Sequence, residues 1–295
     1  MRVVVTGGFG FIGSSFVNYL DSLGHEVLIV DKLTYAANVN NINAATNTIL
    51  AVEKDICNVT AEDLGDYEYL VNFAAESHVD NSIKDGRPFV RSNVEGTFNL
   101  LELARKNSYL KKFIQISTDE VYGDMEDYGE GVLADETFSL IGSSYYSSTK
   151  ASADLLVQAA GRTYGIPYLI TRTCNNFGVN QNKEKFIPTI LNCINNDIEI
   201  PIYGDGNQIR EWIWVEDNVK ILYKLMLENT GVKNIGSGER WTNRELIQLI
   251  ADISNKEIKF KFVEDRLGHD TRYGMQTNFQ DYNFKLLEEY LKEQL

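Results

Sequence analysis

Thr6-Gly7-Gly8-Phe9-Gly10-Phe11-Ile12-Gly13 is the stretch whose reading decides the fold. It follows an apolar run, RVVVT, and opens an amphipathic one, FIGSSFVNYLDSLG, so its glycines sit where a strand hands over to a helix. Spaced GxxGxxG, they remove Cβ atoms from the turn. The turn can then tighten, and an anion can approach the free N–H groups and dipole of the helix start. Glycine spacing alone also fits an ordinary turn. The next segment, HEVLIVD, separates the two readings, because it closes a second strand with Asp31 about twenty residues on. An acid there accepts hydrogen bonds from a ribose diol and repels a 2′-phosphate. NAD is therefore expected rather than NADP, held by Gly7, Gly10, Phe11, Ile12, Gly13 and Asp31, although Lys32 beside the acid works against that preference.

Outward from this turn, apolar runs at TILAVEKD, YEYLVNFAAE, KKFIQIST and PYLITRT alternate with helical patterns at NVEGTFNLLELARK and YSSTKASADLLVQAAGRTYG. Such alternation predicts the α/β class, a doubly wound parallel sheet with helices on both faces. Ligands of these sheets lie at the carboxyl ends of the strands. That places Asp55 and Ile56, after the third strand, and Phe73, Ala74 and Ala75, after the fourth, beside adenine and ribose. After about Thr171 the elements shorten to a helix at FIPTILNCINN, a strand and turn at EIPIYGDGNQ and a helix at NRELIQLIADIS. Residues 1–170 are expected to form the dinucleotide-binding part and 171–295 a smaller α/β substrate lobe. The amphipathic segment around 211–230 is expected to return to the first.

The 295 residues, 43% hydrophobic with only 4 prolines, describe a globular chain with a sizeable core. No apolar run reaches the roughly 18 residues of a membrane span, and the opening run is too short for a signal peptide, so a cytoplasmic protein is expected. Cys57, Cys174 and Cys193 are odd in number without CxxC spacing, and His25, His78 and His269 lie far apart. Neither a disulfide framework nor a metal site is indicated. A net charge of -14 repels nucleic acid and anionic membrane. An anionic small ligand would need a locally basic pocket.

Tyr146 and Lys150 are four apart on an expected helix and share a face. A lysine beside a phenol stabilises phenolate and can hold the nicotinamide ribose. With 16 tyrosines such a pair arises by chance on the order of once, so its position after the fifth strand carries the argument. Thr118, at that strand's end, stands where the short-chain dehydrogenases, which this pattern resembles, place a hydroxyl on the substrate oxygen, and the three would suffice to oxidise an alcohol. They leave Asp119 and Glu120, in ISTDEVYG, without a task. On a strand the two carboxylates would face opposite ways; both can meet one ligand only if the backbone turns out of the strand after Thr118. The competing reading is a solvated acidic loop.

The ordered motifs TGGFGFIGS, DKLTYA, DIC, NFAAESHVDNSI, STDEVYG, SSYYSSTKAS, NNFG, EKFIP, PIYGDGNQIREW, VEDN, NIG and RLGHD cover the chain from residue 1 to about 275. In them the chain resembles the extended short-chain dehydrogenase/reductases, and within these the nucleoside-diphosphate-glucose 4,6-dehydratases. The resemblance implies a Rossmann fold and an internal redox cycle on a nucleotide sugar, dTDP-glucose first. Tyr146 takes the 4-hydroxyl proton as C4 hydride passes to NAD; Asp119 as acid and Glu120 as base remove water across C5 and C6; and the hydride returns to C6. It also implies that Lys32, Leu33, Thr34, Ser92 and Asn176 lie near NAD. Ser77, Asn175, Lys185, Phe186, Pro201, Ile202, Tyr203, Arg210, Asn234, Arg266 and His269 are implied to hold the nucleotide sugar. Arg210 and Arg266 suit a diphosphate because a guanidinium offers forked donors. No metal is implied; members are commonly dimers through a helix bundle, for which the helices at 87–106 and 144–164 could serve, the alternative being that their apolar faces pack internally.

Three positions depart from the family pattern: Tyr145 stands where proline is usual, Asn81 where arginine is common in HVDRS, and Leu267 where RPGH is usual. They bear on nucleotide and sugar preference more than on reaction type. A 4-epimerase or decarboxylase of the same fold would use the same Thr, Tyr and Lys. A non-catalytic NAD-binding sensor is a further alternative. An epimerase needs no C5 base, which the Asp119-Glu120 pair provides.

Overall fold

Arg2–Thr6 forms the first strand, β1, because its valines feed two apolar layers. In the computed structural model, which describes residues 1–43, 48–256, 258–265 and 267–295, Val3 and Val5 pack with Phe16, Val17 and Leu20 of the helix Phe11–Ser22. Val4 faces the other way, into a layer with Leu28, Val30, Leu100, Phe113 and Val157. A strand buried on both faces needs continuous apolar sequence, which is what RVVVT supplies.

The other main strands are β2 (Glu26–Asp31), β3 (Ile49–Glu53), β4 (Tyr69–Asn72), β5 (Lys112–Thr118), β6 (Tyr168–Thr173) and an edge strand, Gly231–Ile235. Among the described residues they make one seven-stranded sheet in the order edge strand, β6, β5, β4, β1, β2, β3. Every neighbouring pair in it is parallel. The strand order reverses between β1 and β4, which opens a crevice at their carboxyl ends.

The edge strand lies beyond the 211–230 segment expected to return. It pairs with β6, Val232 opposite Ile170, after the helix Val215–Glu228. GVKNI has little apolar periodicity because an edge strand keeps part of its surface in solvent. The helical stretch 87–106 is continuous but wound as π-helix over Val90–Gly96, between Arg87–Phe89 and Thr97–Lys106. Such a widened turn brings Asn93 beneath the cleft: its side-chain carbonyl accepts the Glu76 N–H at 2.9 Å and its amide donates to Thr149 at 3.0 Å.

The smaller lobe holds Ile209–Trp214 between Asn175–Phe177 and Arg240–Thr242, and a parallel pair of Ile200–Tyr203 with Phe260–Val263. Its own core gathers Phe177, Ile187, Ile190, Trp212, Leu246, Ile250 and Leu291. Among the described residues no helix is long and apolar enough to cross a membrane.

Candidate active site

The turn after β1 is shaped by contact. Gly7 has φ +68°, and a Cβ there would lie 2.7 Å from the Ala74 nitrogen at the end of β4; a Cβ on Gly13 would lie 2.2 Å from the Gly7 carbonyl oxygen. The helix Phe11–Ser22 begins at Gly10 with no side-chain cap, which leaves its first N–H groups for a ligand. Asp31 accepts the Phe9 N–H at 3.1 Å and the Leu33 N–H at 2.9 Å, so one carboxylate ties both sides of the rim while lining the cleft. Lys32 pairs with Glu76 at 2.9 Å, and its charge is thereby drawn away from any 2′-phosphate. A cradle with no room for Cβ, an uncapped helix start and an acid at the second strand fit the pyrophosphate and ribose of NAD.

β5 delivers the reacting edge. Its last residue, Thr118, is extended at φ -141° and caps a 3-10 turn, Asp119–Tyr122, by accepting the Glu120 N–H at 3.3 Å. The backbone therefore leaves the strand directly after Thr118, but the two acids do not end up alike. Glu120 lines the cleft, whereas Asp119 lies behind the wall, 3% exposed, accepting from the Thr118 hydroxyl at 3.2 Å. Burial, the Glu120 charge and the charge of Glu211 all raise the Asp119 carboxyl well above its ordinary value, against Thr118 and Arg210.

The helix Tyr145–Tyr164 starts at a reciprocal cap, Ser144 accepting the Ser147 N–H at 3.1 Å and Ser147 accepting the Ser144 N–H at 3.0 Å. That cap aims Tyr146 and Lys150 at the end of β5, where both line the cleft. The Tyr146 phenol is raised by burial and by Glu120, with Thr118 hydrogen bonding opposing. Burial pulls the Lys150 ammonium down to about 8, and it donates to the Ile116 carbonyl.

Across the cleft, Arg210 is nearly buried, held by the carbonyls of Ile209 (2.9 Å) and Asp270 (2.8 Å) and stacked 4.2 Å from the Tyr273 ring. Among the described residues no carboxylate pairs with it, so its charge stays available to an anion. Residues 269–275 are pinned back over the site. Asp124 accepts the N–H of Thr271 and of Arg272 (3.0 Å), and Arg272 donates to the carbonyls of Met125 (2.8 Å), Gly129 (2.7 Å) and Val132 (2.9 Å).

A single cleft of about 560 Å³ is lined by Gly7, Gly10, Phe11, Ile12, Gly13, Asp31, Lys32, Thr34, Ile56, Phe73, Ala74, Ala75, Ser92 and Asn176, expected around NAD. The same cleft is lined by Ser77, Asn175, Lys185, Phe186, Pro201, Ile202, Tyr203, Arg210 and His269, expected around the nucleotide sugar. Four expected residues are not in its lining. Asp119 is behind the wall. Leu33 offers the rim its backbone, its side chain 39% exposed. Asp55 turns to the Cys57 N–H at 2.9 Å. Asn234 is buried with its amide fully committed, donating to the carbonyls of Ala134 (3.0 Å) and Gln276 (3.1 Å) and accepting from the Tyr122 hydroxyl at 2.7 Å. It lies at the end of the edge strand. Arg266 lies outside the described residues. Sequence reasoning missed Glu76, Cys174, Trp212 and Tyr273, all of which line the cleft; no spacing signals them, because each arrives from a different element.

A model of the NAD dependent epimerase/dehydratase family matches residues 3–236. The low-salt glycan biosynthesis protein Agl12 of Haloferax volcanii is 45% identical over 93% of this chain and 90% of its own length. The dTDP-glucose 4,6-dehydratase of Neisseria gonorrhoeae is 39% identical over 93% of this chain and 87% of its own. Among solved structures, DesIV of Streptomyces venezuelae, a dTDP-glucose 4,6-dehydratase crystallised with NAD, superposes with a TM-score of 0.92 at 36% identity, covering 99% of this chain and 95% of that one.

Proposed function

The chain belongs to the NAD dependent epimerase/dehydratase family, and we propose that within it the chain is an NAD-dependent 4,6-dehydratase of a nucleoside-diphosphate hexose, dTDP-glucose first. The product is the 4-keto-6-deoxy sugar nucleotide plus water. One observation carries the reading: a turn directly after Thr118 that sets two acids in different surroundings beside Tyr146 and Lys150. Oxidation of an alcohol needs only Thr118, Tyr146 and Lys150; an epimerase would have no use for the acid pair.

The glycine turn and Asp31 would hold NAD, which would supply a reversible hydride acceptor within the cleft. The chain's residues do the rest. Tyr146, with Lys150 stabilising its phenolate, removes the 4-hydroxyl proton while Thr118 holds the same oxygen. The resulting C4 ketone acidifies the C5 proton, which Glu120 removes from its place in the cleft. Hydroxide is a poor leaving group, so the C6 oxygen departs as water with the proton that Asp119 carries, which requires the carboxyl to turn from behind the wall into the cleft. A carboxyl whose neighbours favour its protonated form suits an acid, and its partner in the more open cleft suits a base. Glu120, now protonated, returns a proton to C5 as hydride reaches C6. Arg210 takes the diphosphate, supplying the local positive charge that a chain of net charge -14 otherwise lacks.

The remaining parts of the reading are a homodimer and a cytoplasmic setting. Val90 and Phe98, in the helical stretch 87–106, and Leu155 and Tyr164, in the adjoining helix, are 47% to 57% exposed, an apolar surface that a second copy would cover. Sedimentation of the NAD-bound protein tests this, Leu155→Glu being expected to yield monomer. Cys57, Cys174 and Cys193 are free thiols, in keeping with a reducing compartment. The Haloferax relative's name makes glycan assembly the process to which such a product would go.

The test of activity is dTDP-glucose deuterated at C4, given without added reductant. The label is expected at C6 of the 4-keto-6-deoxy product. A C4 epimer retaining its 6-hydroxyl, or label lost to solution as free reduced cofactor, would overturn the assignment.

A further inference from the structure

One turn beyond Lys150 on the same helix face lies Asp154, 0% exposed, in an interior that also holds Lys150 and Arg172. Its Oδ2 accepts from Arg172 Nε at 2.9 Å. Arg172 comes from β6, directly beside β5, and passes the contact on, Nη1 donating to the Tyr122 hydroxyl at 2.9 Å. Asp154 Oδ1 and the Ser117 hydroxyl are buried close to one another with no bond of good geometry, and the hydroxyl favours the ionised form of Asp154. One carboxylate oxygen is thus held by Arg172, and the other is left in the interior under the catalytic pair. Nothing in the reaction proposed above uses this group.

A buried carboxylate with no ion partner takes up a proton, and a buried ammonium with none gives one away. The charges around Lys150 come from few directions. On its own helix they are Tyr146 and Asp154. From β6 comes Arg172, bound to Asp154. From the turn after β5 come Asp119 and Glu120, which act on Tyr146. From the π-wound stretch comes neutral Asn93, on Thr149, while its charged residues Arg91 and Glu95 act on Asp55 and Cys57. Lys150 itself is hydrogen-bonded to a carbonyl, which carries no charge.

We propose that Asp154 is a positioning residue, the buried counter-ion that holds Lys150 protonated, and that Arg172 keeps Asp154 ionised for that purpose. Burial raises the Asp154 carboxyl above its ordinary value, and Arg172, whose guanidinium does not lose its proton, is the largest influence opposing that rise. One negative charge shared between two cations leaves the ammonium only partly balanced. Burial and Asp154 then act on Lys150 in opposite directions and place its titration near neutrality, where its charge can serve the phenolate. The inference rests on reading Tyr146 and Lys150 as the working pair, but its first measurement needs no substrate, so it can fail while the dehydratase assignment stands.

The test is made on the NAD-bound protein carrying 13C-labelled lysine, the Lys150 resonance being assigned by its loss in Lys150→Met. Asp154→Asn keeps the shape and an acceptor for Arg172 but removes the charge. Its Lys150 midpoint is expected to fall by about one pH unit or more, a factor of ten or more in proton affinity. The alkaline limb of single-turnover C4 oxidation is expected to move with it, and Asp154→Glu to restore both. Arg172→Met, which removes the charge that keeps Asp154 ionised, is expected to lower the midpoint in the same sense as Asp154→Asn, and it carries the test if Asp154→Asn does not fold. A Lys150 midpoint unmoved by whichever of these variants folds, with a rate lowered equally at every pH, would make the pair merely structural and overturn the proposal.

Discussion

The Thr118 hydroxyl donates to the Asp119 carboxyl at 3.2 Å while accepting the Glu120 N–H at 3.3 Å, so one side chain at the end of β5 sets both acids. Because burial and the Glu120 charge raise Asp119, it stays protonated to higher pH than an ordinary aspartate. As an acid it is active while protonated, so elimination is expected to fall as pH rises through its raised pKa while C4 oxidation persists. Asp119→Asn should lower turnover on the order of 10²-fold. Reduced nicotinamide should then accumulate in single-turnover mixing, read by its near-ultraviolet absorbance. Equal loss of nicotinamide reduction and of product would contradict this division of labour.

The same shift has a consequence for stability. Between the ordinary value and the raised one, the folded chain holds a proton on Asp119 that the unfolded chain has lost. Stability from this group is therefore complete at low pH and declines as pH rises through that window, by roughly 1 kcal/mol per pH unit. Asp119→Asn removes the decline, and the variant should be more resistant to urea than the wild type at alkaline pH while less active. Urea midpoints across a pH series check it; parallel curves for the two proteins would refute it.

How much of this was legible in the sequence depends on the kind of constraint. Gly7 and Gly13 are written by contact, since any other residue would strike Ala74 or the Gly7 carbonyl, and such positions announce themselves locally. The alternation behind the sheet is likewise local. The edge strand Gly231–Ile235 left little trace because its pairing with β6, not its own pattern, makes it a strand. Asn234 sits in a motif that drew attention to it, yet its partners at Tyr122, Ala134 and Gln276 come from three distant segments. Tyr273 and Glu76 reach the cleft by convergence, which spacing along one chain does not encode. The turn after Thr118 was demanded by chemistry before it was seen, but the unequal burial of the two acids was not.

Substitution in the glycine turn should separate contact from flexibility. Gly13→Ala would place a methyl 2.2 Å from a backbone oxygen and is expected to give protein that purifies without NAD and binds it at least tenfold more weakly. Gly24→Ala, at φ +75° with open space around it, should cost about 1–2 kcal/mol of stability and leave NAD content unchanged. Nicotinamide content after purification and fluorescence titration give both answers.

Cofactor choice should respond to Glu76 as well as Asp31. Asp31→Ser removes the acid that would repel a 2′-phosphate, and Glu76→Gln releases Lys32 from its 2.9 Å ion pair. NAD affinity should fall in the first variant. In the double variant the ratio of NADP to NAD affinity should rise further, by several-fold over Asp31→Ser alone. A ratio unaffected by Glu76→Gln would mean that Lys32 does not reach the ribose.

Asn81, where the family commonly has arginine, donates to the Tyr35 hydroxyl at 3.3 Å, and that hydroxyl donates to Glu184 at 3.3 Å. Tyr35 follows β2 and Glu184 precedes the helix Phe186–Asn195 of the smaller lobe, so the chain of contacts spans the mouth of the cleft. Lys185 crosses the same gap to the Ser77 carbonyl at 3.2 Å. Each bond is long and exposed, worth at most about 1 kcal/mol. Tyr35→Phe deletes two of them at once and should therefore speed NAD release by only several-fold, leaving turnover at saturating NAD unchanged, since Tyr35 does not line the cleft. Asn81→Arg should act in the opposite sense, because a guanidinium there can pair with Glu184 and close the mouth more firmly. Exchange of bound NAD against a fluorescent analogue measures both. Identical release rates in the three proteins would place the barrier to NAD loss at the glycine turn and Asp31, not at the mouth.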